Sequence, residues 1–237
     1  MRRRSAILGG LSAGGMALGG WTASISVAGV QTPGQPVVLE LFTSQGCSSC
    51  PPADALLGEL AQRPDIIALA WHVDYWSHLG WRDPFSRREW SDRQRRYANR
   101  LNDDVYTPAL IVNGAVMVVG SNRRAVNEAM QATKPLPLSP SLWRDGELLV
   151  IQPGVIPAGA TATLVTYDPE QVTAVRAGEN GGRRLREFQV VRTARAIDPS
   201  LPRTLLDGIG TKEGIALLVQ DDTLRVIGAA QLRPGRS

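Results

Sequence analysis

The sequence predicts a mixed α/β domain followed by a small antiparallel β-domain. Between residues 37 and 130, strand-like apolar runs alternate with segments whose apolar residues recur at the helical period. Beyond residue 140, short β-type runs are separated by turn residues, as in a small antiparallel β-sandwich. The proline-rich segment 135–140 divides the two patterns, so we expect domains at about 36–134 and 140–237.

Two apolar runs predict the first two strands, and a helix connects them. Val37–Thr43 and Ile66–His72 are mostly apolar and partly β-branched, which is typical of buried, neighbouring parallel strands. Pro51 and Pro52 follow a turn, and the apolar residues of segment 53–61 share one helical face. The order strand, helix, strand is typical of the beginning of an α/β domain.

An aromatic segment and a second helix follow as an insert. Segment 73–85 is rich in aromatic side chains, and Ser86 with Glu89 forms a capping-box pattern that predicts a helix to about Leu101. Eight aromatic residues lie between positions 71 and 106. They predict either a small secondary core or the wall of a peptide-binding groove, with Trp76 as a candidate contact to the peptide.

A β-hairpin and a third helix complete the first domain. The runs Ala109–Val112 and 115–119 flank Asn113-Gly114, and both of these residues tolerate the positive φ of a type I′ turn. Asn122 or the serine before it can cap the last helix, in which apolar residues recur on one face.

The N-terminus predicts export. Arg2, Arg3 and Arg4 precede a weakly apolar, glycine-rich stretch, and Ser26-Val27-Ala28 offers the small residues that a signal peptidase needs. Adjacent arginines indicate the twin-arginine route, with a general secretory signal as the alternative. We therefore expect a signal peptide at 1–28 and a periplasmic or secreted protein, although a retained membrane anchor is the opposing interpretation.

The charge of the chain gives no case for a nucleic-acid partner. Without the three N-terminal arginines, the formal net charge falls from +4 to +1. A nearly neutral protein lacks the basic surface on which nucleic-acid binding depends. We likewise expect no stable membrane span once the signal peptide is removed.

The two cysteines form a Cys47-Ser48-Ser49-Cys50 motif between a predicted strand and a predicted helix. A thiol at a helix N-terminus faces unpaired amides and the positive end of the helix dipole, and both favour the thiolate. The second thiol lies one turn further on, where it can attack a mixed disulfide formed by the first. This position predicts an exposed nucleophile, Cys47, with Cys50 as its resolving partner.

These elements together resemble the thioredoxin fold: a strand, a Cys-x-x-Cys motif, a helix and, later, Thr107-Pro108 immediately before a hairpin. The resemblance implies a thioredoxin-like first domain with a helical insert, in which Pro108 is cis and lies beside the cysteines. It also implies that Tyr106 and Thr107 line the substrate groove, where the main chain before Pro108 is free to pair with a bound peptide.

Four longer motifs extend the resemblance over most of the chain: ELFTSQGCSSCPP at 40–52, HVDYW at 72–76, GENGGR at 178–183 and VVR at 190–192. They resemble an uncharacterised family of secreted bacterial proteins, the domain of unknown function numbered 1223, which is assigned to the thioredoxin-like superfamily. That resemblance supplies a fold and no activity. The third motif lies in a polar cluster that either binds a ligand or docks the two domains.

Departures from thioredoxin leave the direction of electron flow open. Ser48-Ser49 replaces its Gly-Pro dipeptide and no tryptophan precedes Cys47, while the residues between the cysteines help to set the reduction potential. Thioredoxin's buried aspartate, a proton relay for the resolving cysteine, has its nearest equivalent in Glu40. An ordinary paired carboxylate is the alternative role for Glu40.

Taken together, the sequence predicts an exported thiol–disulfide oxidoreductase that acts on protein thiols or disulfides of the cell envelope. Cys47 attacks, Cys50 resolves and Pro108 shapes the substrate groove, and no organic cofactor or metal is required. Two alternatives stay open. One is a non-catalytic binding protein with a structural disulfide, and the other is a copper- or zinc-handling protein in which His72 joins the cysteines.

Overall fold

The computed structural model describes residues 36–235, so the expected signal peptide at 1–28 lies outside the described range. Within this range the chain forms eleven strands and three α-helices. In chain order the elements are β1 (Val37–Thr43), α1 (Pro51–Leu60), β2 (Ile66–His72), a short 3₁₀ turn (Ser77–Leu79), α2 (Arg88–Leu101), β3 (Ala109–Val112), β4 (Val116–Val119), α3 (Arg123–Gln131), β5 (Ser141–Asp145), β6 (Leu148–Gln152), β7 (Thr161–Ala174), β8 (Arg184–Ile197), β9 (Thr204–Leu206), β10 (Gly214–Gln220) and β11 (Val226–Leu232).

Eight of these strands form one sheet in the order β11-β10-β7-β8-β2-β1-β3-β4. β1 and β2 are parallel, as the sequence predicts, and β2 also pairs in parallel with β8. The remaining neighbours in this sheet pair antiparallel. The protein is therefore a mixed α/β protein with a large, mostly antiparallel sheet, which confirms the α/β class.

Helices cover both faces of the sheet around β1. The odd-numbered residues Leu39 and Leu41 pack with α1 and α3, while Val38 and Phe42 point to the opposite face, on which α2 lies. This alternation follows from the two-residue period of a strand. The cysteine motif begins four residues after β1 ends, at the sheet edge where β1 leads into α1. No helix between residues 36 and 235 is long and apolar enough to cross a membrane.

The second half of the chain differs from the separate sandwich that the sequence predicts. β7, β8, β10 and β11 extend the large sheet past β2, so one sheet crosses the expected boundary at 134–140. The small sheet β5-β6-β9 faces these outer strands across a buried apolar cluster. Two facing sheets are thus present, but one of them is shared with the first half. The boundary itself, as a division between folding units, stays a prediction.

The shared sheet has a physical origin in β2 and in the expected linker. Every residue of β2 is buried, so both its faces and both its edges need partners, and β8 supplies one edge. In the linker, Leu136 is buried in the main core and the Leu138 amide donates to the Ile227 carbonyl. Segment 135–140 is therefore packed against the sheet.

Two local expectations have opposite outcomes. Asn113 and Gly114 both adopt positive φ, at 47° and 61°, as the predicted hairpin turn requires. The predicted capping box is wrong: α2 begins at Arg88 without a side-chain cap, because the Ser86 hydroxyl donates to the Asp83 carbonyl instead.

Gly58 on α1 tests the packing of the second half against the first. A Cβ atom at this position would lie 2.4 Å from Cδ2 of Phe188 on β8. Alanine normally stabilises a helix interior by about 1 kcal/mol relative to glycine. We expect Gly58→Ala to lower the free energy of unfolding by about 1–3 kcal/mol instead, because the ring must move. Urea unfolding measures the change.

Phe188→Ala provides the matched background for this test. With the ring removed, Gly58→Ala should lose its penalty and return toward ordinary helix propensity. A stabilising effect of Gly58→Ala in the parent protein would contradict the packing of β8 on α1.

Candidate functional site

Cys47 and Cys50 form a disulfide, and Cys50 is the N-cap residue of α1. Ser48 and Ser49 between them are exposed, but both cysteines have an exposed fraction of 0%. The exposed nucleophile that the motif predicts is therefore absent from the oxidised protein. The loop formed by residues 46–50, called the cysteine loop below, presents its serines to the surface and keeps its sulfur atoms beneath them.

The main chain before Pro108 lies against the first cysteine. Cys47 Sγ is 3.8 Å from the carbonyl oxygen of Thr107, and the Ser49 hydroxyl donates to the same sulfur atom at 3.3 Å. The Thr107–Pro108 peptide bond is cis. The residues that the resemblance assigns to the site, Cys47, Thr107 and Pro108, are thus brought together.

Trp76 and Tyr106 flank this contact. Trp76 Nε1 donates to the Thr107 hydroxyl at 2.8 Å, and a Cβ atom on Gly46 would lie 2.8 Å from Cβ of Trp76. Glycine is required at position 46 because the indole-bearing residue packs directly on the main chain there. Tyr106 is half-buried, and its carbonyl accepts a hydrogen bond from Gln94 on α2. Both aromatic residues pack against the α2 side of the core.

Glu40 lies on the other face of the sheet from α1. Its carboxylate is fully buried and accepts two hydrogen bonds from Arg93, at 2.6 and 3.0 Å, and a third from the Tyr97 hydroxyl. Arg93 also donates to Gln220 at the end of β10. This geometry matches the paired-carboxylate alternative, and it offers no contact that supports a proton relay from Glu40 to Cys50.

A different buried acid lies directly behind the cysteine loop. Asp54 is one helical turn beyond Cys50, its amide donates to the Cys50 carbonyl, and its exposed fraction is only 5%. Helical side chains lean toward the helix N-terminus, which is the end of α1 at which Cys50 lies. Sequence reasoning missed Asp54, although an acidic residue on the buried face of a predicted helix is a usable signal.

Asp54 belongs to a cluster of buried ionisable groups drawn from both halves of the chain. His72 at the end of β2 donates from Nδ1 to Asp83 at 2.7 Å, and Glu187 on β8 lies 4.0 Å from the same nitrogen. All four side chains are at least nine-tenths buried. We call Asp54, His72, Asp83 and Glu187 the buried ionic cluster.

Burial and mutual attraction shift the ionisation of this cluster. Burial raises the pKa of Asp54 to about 7, with repulsion from Glu187 adding to it and His72 opposing it. Burial alone lowers the pKa of His72, but attraction to Asp83, Glu187 and Asp54 outweighs it and raises the value to about 9. Burial also raises the pKa of Glu187. Burial opposes the ionisation of Asp83, but attraction to His72, together with its hydrogen bond, outweighs burial and lowers the pKa of that carboxyl group. The cluster thus combines an imidazolium and an ionised Asp83 with two carboxyl groups, Asp54 and Glu187, that hold protons more readily than usual.

Gln45 joins the buried ionic cluster to the cysteine loop. Its main-chain amide donates to the Asp83 carboxylate at 2.9 Å, and its side-chain Nε2 donates to the Glu187 carboxylate at 2.7 Å. Trp81 Nε1 donates to the oxygen of the same side chain at 2.9 Å. Gln45 is fully buried and is followed directly by the cysteine loop, so these hydrogen bonds fix where the loop leaves β1.

The motif at 178–183 closes over the cysteine loop, and we call it the clasp. The fully buried Asn180 donates from Nδ2 to the carbonyl groups of Gln45 and Cys47, at 3.0 and 2.9 Å. Glu179 accepts a hydrogen bond from the Ser48 amide at 2.9 Å. Of the two roles left open for this polar cluster, docking between the two halves is the one that these contacts perform.

The surroundings of His72 differ from those that the metal-handling alternative requires. Its Nδ1 atom is engaged by Asp83, and the sulfur atoms of the cysteines are joined to each other. Between residues 36 and 235, no three His, Cys, Asp or Glu side chains have an arrangement that could hold a metal ion.

The raised pKa of His72 predicts a pH-dependent stability. A group whose pKa is higher in the folded state stabilises the protein below its unfolded value and loses that contribution as pH rises through the folded value. We expect the free energy of unfolding to fall by about 3 kcal/mol between pH 6.5 and 9 from His72. Urea unfolding of the oxidised protein across this range measures it.

His72→Gln is the control for this prediction. It removes the imidazole titration, so the slope between pH 6.5 and 9 should become shallower, while the Asp54 contribution should persist from about pH 4 and extend above pH 7, because the His72 charge no longer lowers that pKa. That contribution also falls as pH rises, because ionising a buried carboxyl group costs more in the folded state. An unchanged slope in His72→Gln would show that His72 is neutral in the folded protein.

Comparisons with known proteins place the chain in a family. It is similar to protein AGR_C_4864 from Agrobacterium tumefaciens, whose crystal structure matches with 30% identity and a TM-score of 0.75, over 86% of this chain and 97% of that one. HBP35 of Porphyromonas gingivalis matches at 14% identity and a TM-score of 0.57, over 86% of this chain and 78% of that one, which is a likeness of fold alone. No curated protein gives a significant match. The family model described as "Protein of unknown function (DUF1223)" matches residues 38–204, and the chain therefore belongs to the DUF1223 family.

Proposed function

We propose that this protein is a thiol–disulfide oxidoreductase that uses Cys47 and Cys50. The observation that carries the proposal is the disulfide at the start of α1, with the Thr107 carbonyl 3.8 Å from Cys47 Sγ. The positive end of the α1 dipole favours a thiolate at this place, and a main chain beside the sulfur is suited to align a peptide. Both features favour exchange with a protein substrate.

A thioredoxin-like first half is part of this proposal. Its support is the strand order β2-β1-β3-β4, the parallel pairing of β1 with β2, and the placement of α1 and α3 on one face with α2 on the other. Thr107 and Pro108 come immediately before β3, beside the cysteine loop. In this interpretation β7, β8, β10 and β11 are an addition to the free edge of β2.

In the reductive direction, exchange proceeds through a mixed disulfide with the substrate. The Cys47 thiolate attacks one sulfur of a substrate disulfide, a Cys47–substrate disulfide forms, and the second substrate sulfur leaves as a thiolate. Cys50 then loses its proton and attacks Cys47 Sγ, which releases the remaining substrate thiolate. The substrate gains two electrons and the protein loses two, and oxidation of a substrate dithiol follows the same steps in reverse.

Asp54 is the group that we assign to the Cys50 proton. It lies one turn beyond Cys50, is shielded from water, and has a pKa raised to about 7. A base is most effective when its pKa lies near the working pH. Glu40, the residue that the thioredoxin resemblance suggests, is held by Arg93 on the other face of the sheet.

Export to the cell envelope completes the proposal. Its support is the arginine-rich, signal-like N-terminus and the disulfide, which is typical of oxidising compartments. Thiols or disulfides of envelope proteins would then be the substrates.

A second candidate function is a binding module that keeps the disulfide as a structural bridge. The specific observation in its favour is that both cysteines have an exposed fraction of 0% in the oxidised protein. Exchange requires the cysteine loop to open, whereas a structural bridge does not. The two candidates therefore differ in the accessibility of Cys47 and in the stability of the bridge toward reduction.

The reduction potential of the mature, full-length protein separates these two candidates. We expect a value between about −120 and −270 mV on equilibration with thiol buffers, with Cys47 alkylated before Cys50. Cys50→Ser should accumulate a mixed disulfide with a protein substrate such as insulin, and Cys47→Ser should not. A potential below about −300 mV, with no mixed disulfide, would establish a structural bridge.

Asp54→Asn tests the proton-transfer role. We expect the resolving step to slow by about 10- to 100-fold at pH 7, because Cys50 loses its base. Stopped-flow tryptophan fluorescence of the reduced protein mixed with a disulfide follows this step, and the inflection near pH 7 should disappear. Glu59→Gln, which neutralises an exposed carboxylate on the same helix, is the control and should react like the parent protein. Equal rates in Asp54→Asn and the parent would remove Asp54 from the mechanism.

A further inference from the structure

Glu179 brings a carboxylate from the clasp to the main chain of the cysteine loop. Its carboxylate accepts the Ser48 amide hydrogen at 2.9 Å, across 131 positions of sequence. This bond is the main reason that the pKa of Glu179 lies below its usual range. Glu179 is exposed, and neither the disulfide chemistry nor the buried ionic cluster uses it.

The Ser48 amide is the first N–H group after Cys47. α1 begins with Pro51 and Pro52, which carry no N–H group. The main-chain donors available to a thiolate on Cys47 are therefore the amides of the cysteine loop, and Ser48 supplies one of them. Here the donor is already bound to a carboxylate, which also places a full negative charge beside the same turn. Both effects oppose formation of a second negative charge on Cys47 Sγ.

The clasp fixes the position of this carboxylate. The adjacent Asn180 is fully buried and anchors the clasp to the Gln45 and Cys47 carbonyl groups. Arg183 donates to the oxygen of the Asn180 side chain at 2.7 Å, so the amide cannot turn over. Gly178 has a φ of +74°, and its carbonyl oxygen accepts a hydrogen bond from the Gly181 amide at 3.0 Å, which closes the turn. The glycine-rich motif is thus the turn that presents Glu179 to Ser48.

We propose that Glu179 is a positioning residue that holds the Ser48 amide and thereby raises the pKa of Cys47, making the cysteine pair more reducing. The reaction that measures this effect is the oxidation of the protein by glutathione disulfide. It gives the Cys47–Cys50 disulfide and two molecules of reduced glutathione, and two electrons pass from the protein to glutathione. Stabilising a Cys47 thiolate favours the reduced protein in this equilibrium, and Glu179 acts against it. The inference rests on the proposed function for its use in the cell, but the potential belongs to the cysteine pair itself.

The test is the reduction potential of full-length Glu179→Gln in glutathione buffers at pH 7. We expect the equilibrium constant to shift three- to tenfold toward the reduced protein, which corresponds to a potential about 15–30 mV less negative. The pH dependence of iodoacetamide alkylation should show a lower pKa for Cys47. Because the contact is exposed, the shift should shrink at high salt concentration.

Glu147→Gln is the matched control. Glu147 is an exposed glutamate in the turn between β5 and β6, so this variant makes the same change in net charge away from the cysteine loop. It should keep the potential and the Cys47 pKa of the parent protein. An unchanged potential in Glu179→Gln, or an equal shift in Glu147→Gln, would overturn the inference.

The outcome is separable from the fate of the proposed function. A shifted potential in Glu179→Gln supports the inference even if no variant reduces insulin, and in that case the oxidoreductase proposal alone fails. A parent protein that exchanges with insulin while Glu179→Gln keeps the parent potential overturns the inference and leaves the proposed function standing.

Discussion

The burial of His72 among three carboxyl groups is the constraint on which the centre of this structure depends. An isolated charge cannot be buried without a large penalty, so the imidazolium, Asp83, Glu187 and Asp54 must be assembled together. They come from β2, the insert, β8 and α1, which are distant in sequence. The cluster can form only when both halves of the chain are in place, and this explains why the sheet is continuous across them.

The same constraint connects the interior to the surface. Gln45 hydrogen-bonds to Asp83 and Glu187 and then leads directly into the cysteine loop. A change in the ionisation of these buried carboxyl groups therefore acts on the segment that positions the disulfide. The clasp restrains the loop from the other side. A disulfide held from beneath and from above is well protected, and the proposed exchange therefore depends on how readily the clasp releases it.

Much of the first half could be predicted from its sequence. β1, β2 and β3 are apolar runs whose period and bounding turns are local signals, and Asn113-Gly114 defines its turn by backbone preference alone. Part of the site was predictable, because Cys47, Thr107 and Pro108 follow the order that is typical of the thioredoxin fold. Its remaining groups were not. Glu40 faces α2 because of strand alternation, and only the fold shows that Arg93 on this helix forms an ion pair with its carboxylate.

The second half was harder to predict because its strands carry a mixed signal. β7 and β8 extend over fourteen residues each, yet polar and charged residues interrupt both, so only their apolar segments stand out in the sequence. The parallel pairing of β8 with β2 leaves no local pattern, since it joins segments more than a hundred residues apart. Ser86 illustrates the reverse case, in which a good local pattern is overridden because the Asp83 carbonyl takes its hydroxyl.

The alternation of Glu187 and Phe188 on β8 has a consequence for how this hairpin can change in evolution. Glu187 reaches Gln45 and the buried ionic cluster, while its neighbour places an aromatic ring against the bare main chain of Gly58. Inserting one residue before them would place the glutamate where the phenylalanine now lies and would move the ring out of its contact with Gly58. β7 and β8 can therefore lengthen where they extend beyond the sheet, but the number of residues between the clasp and Phe188 is fixed.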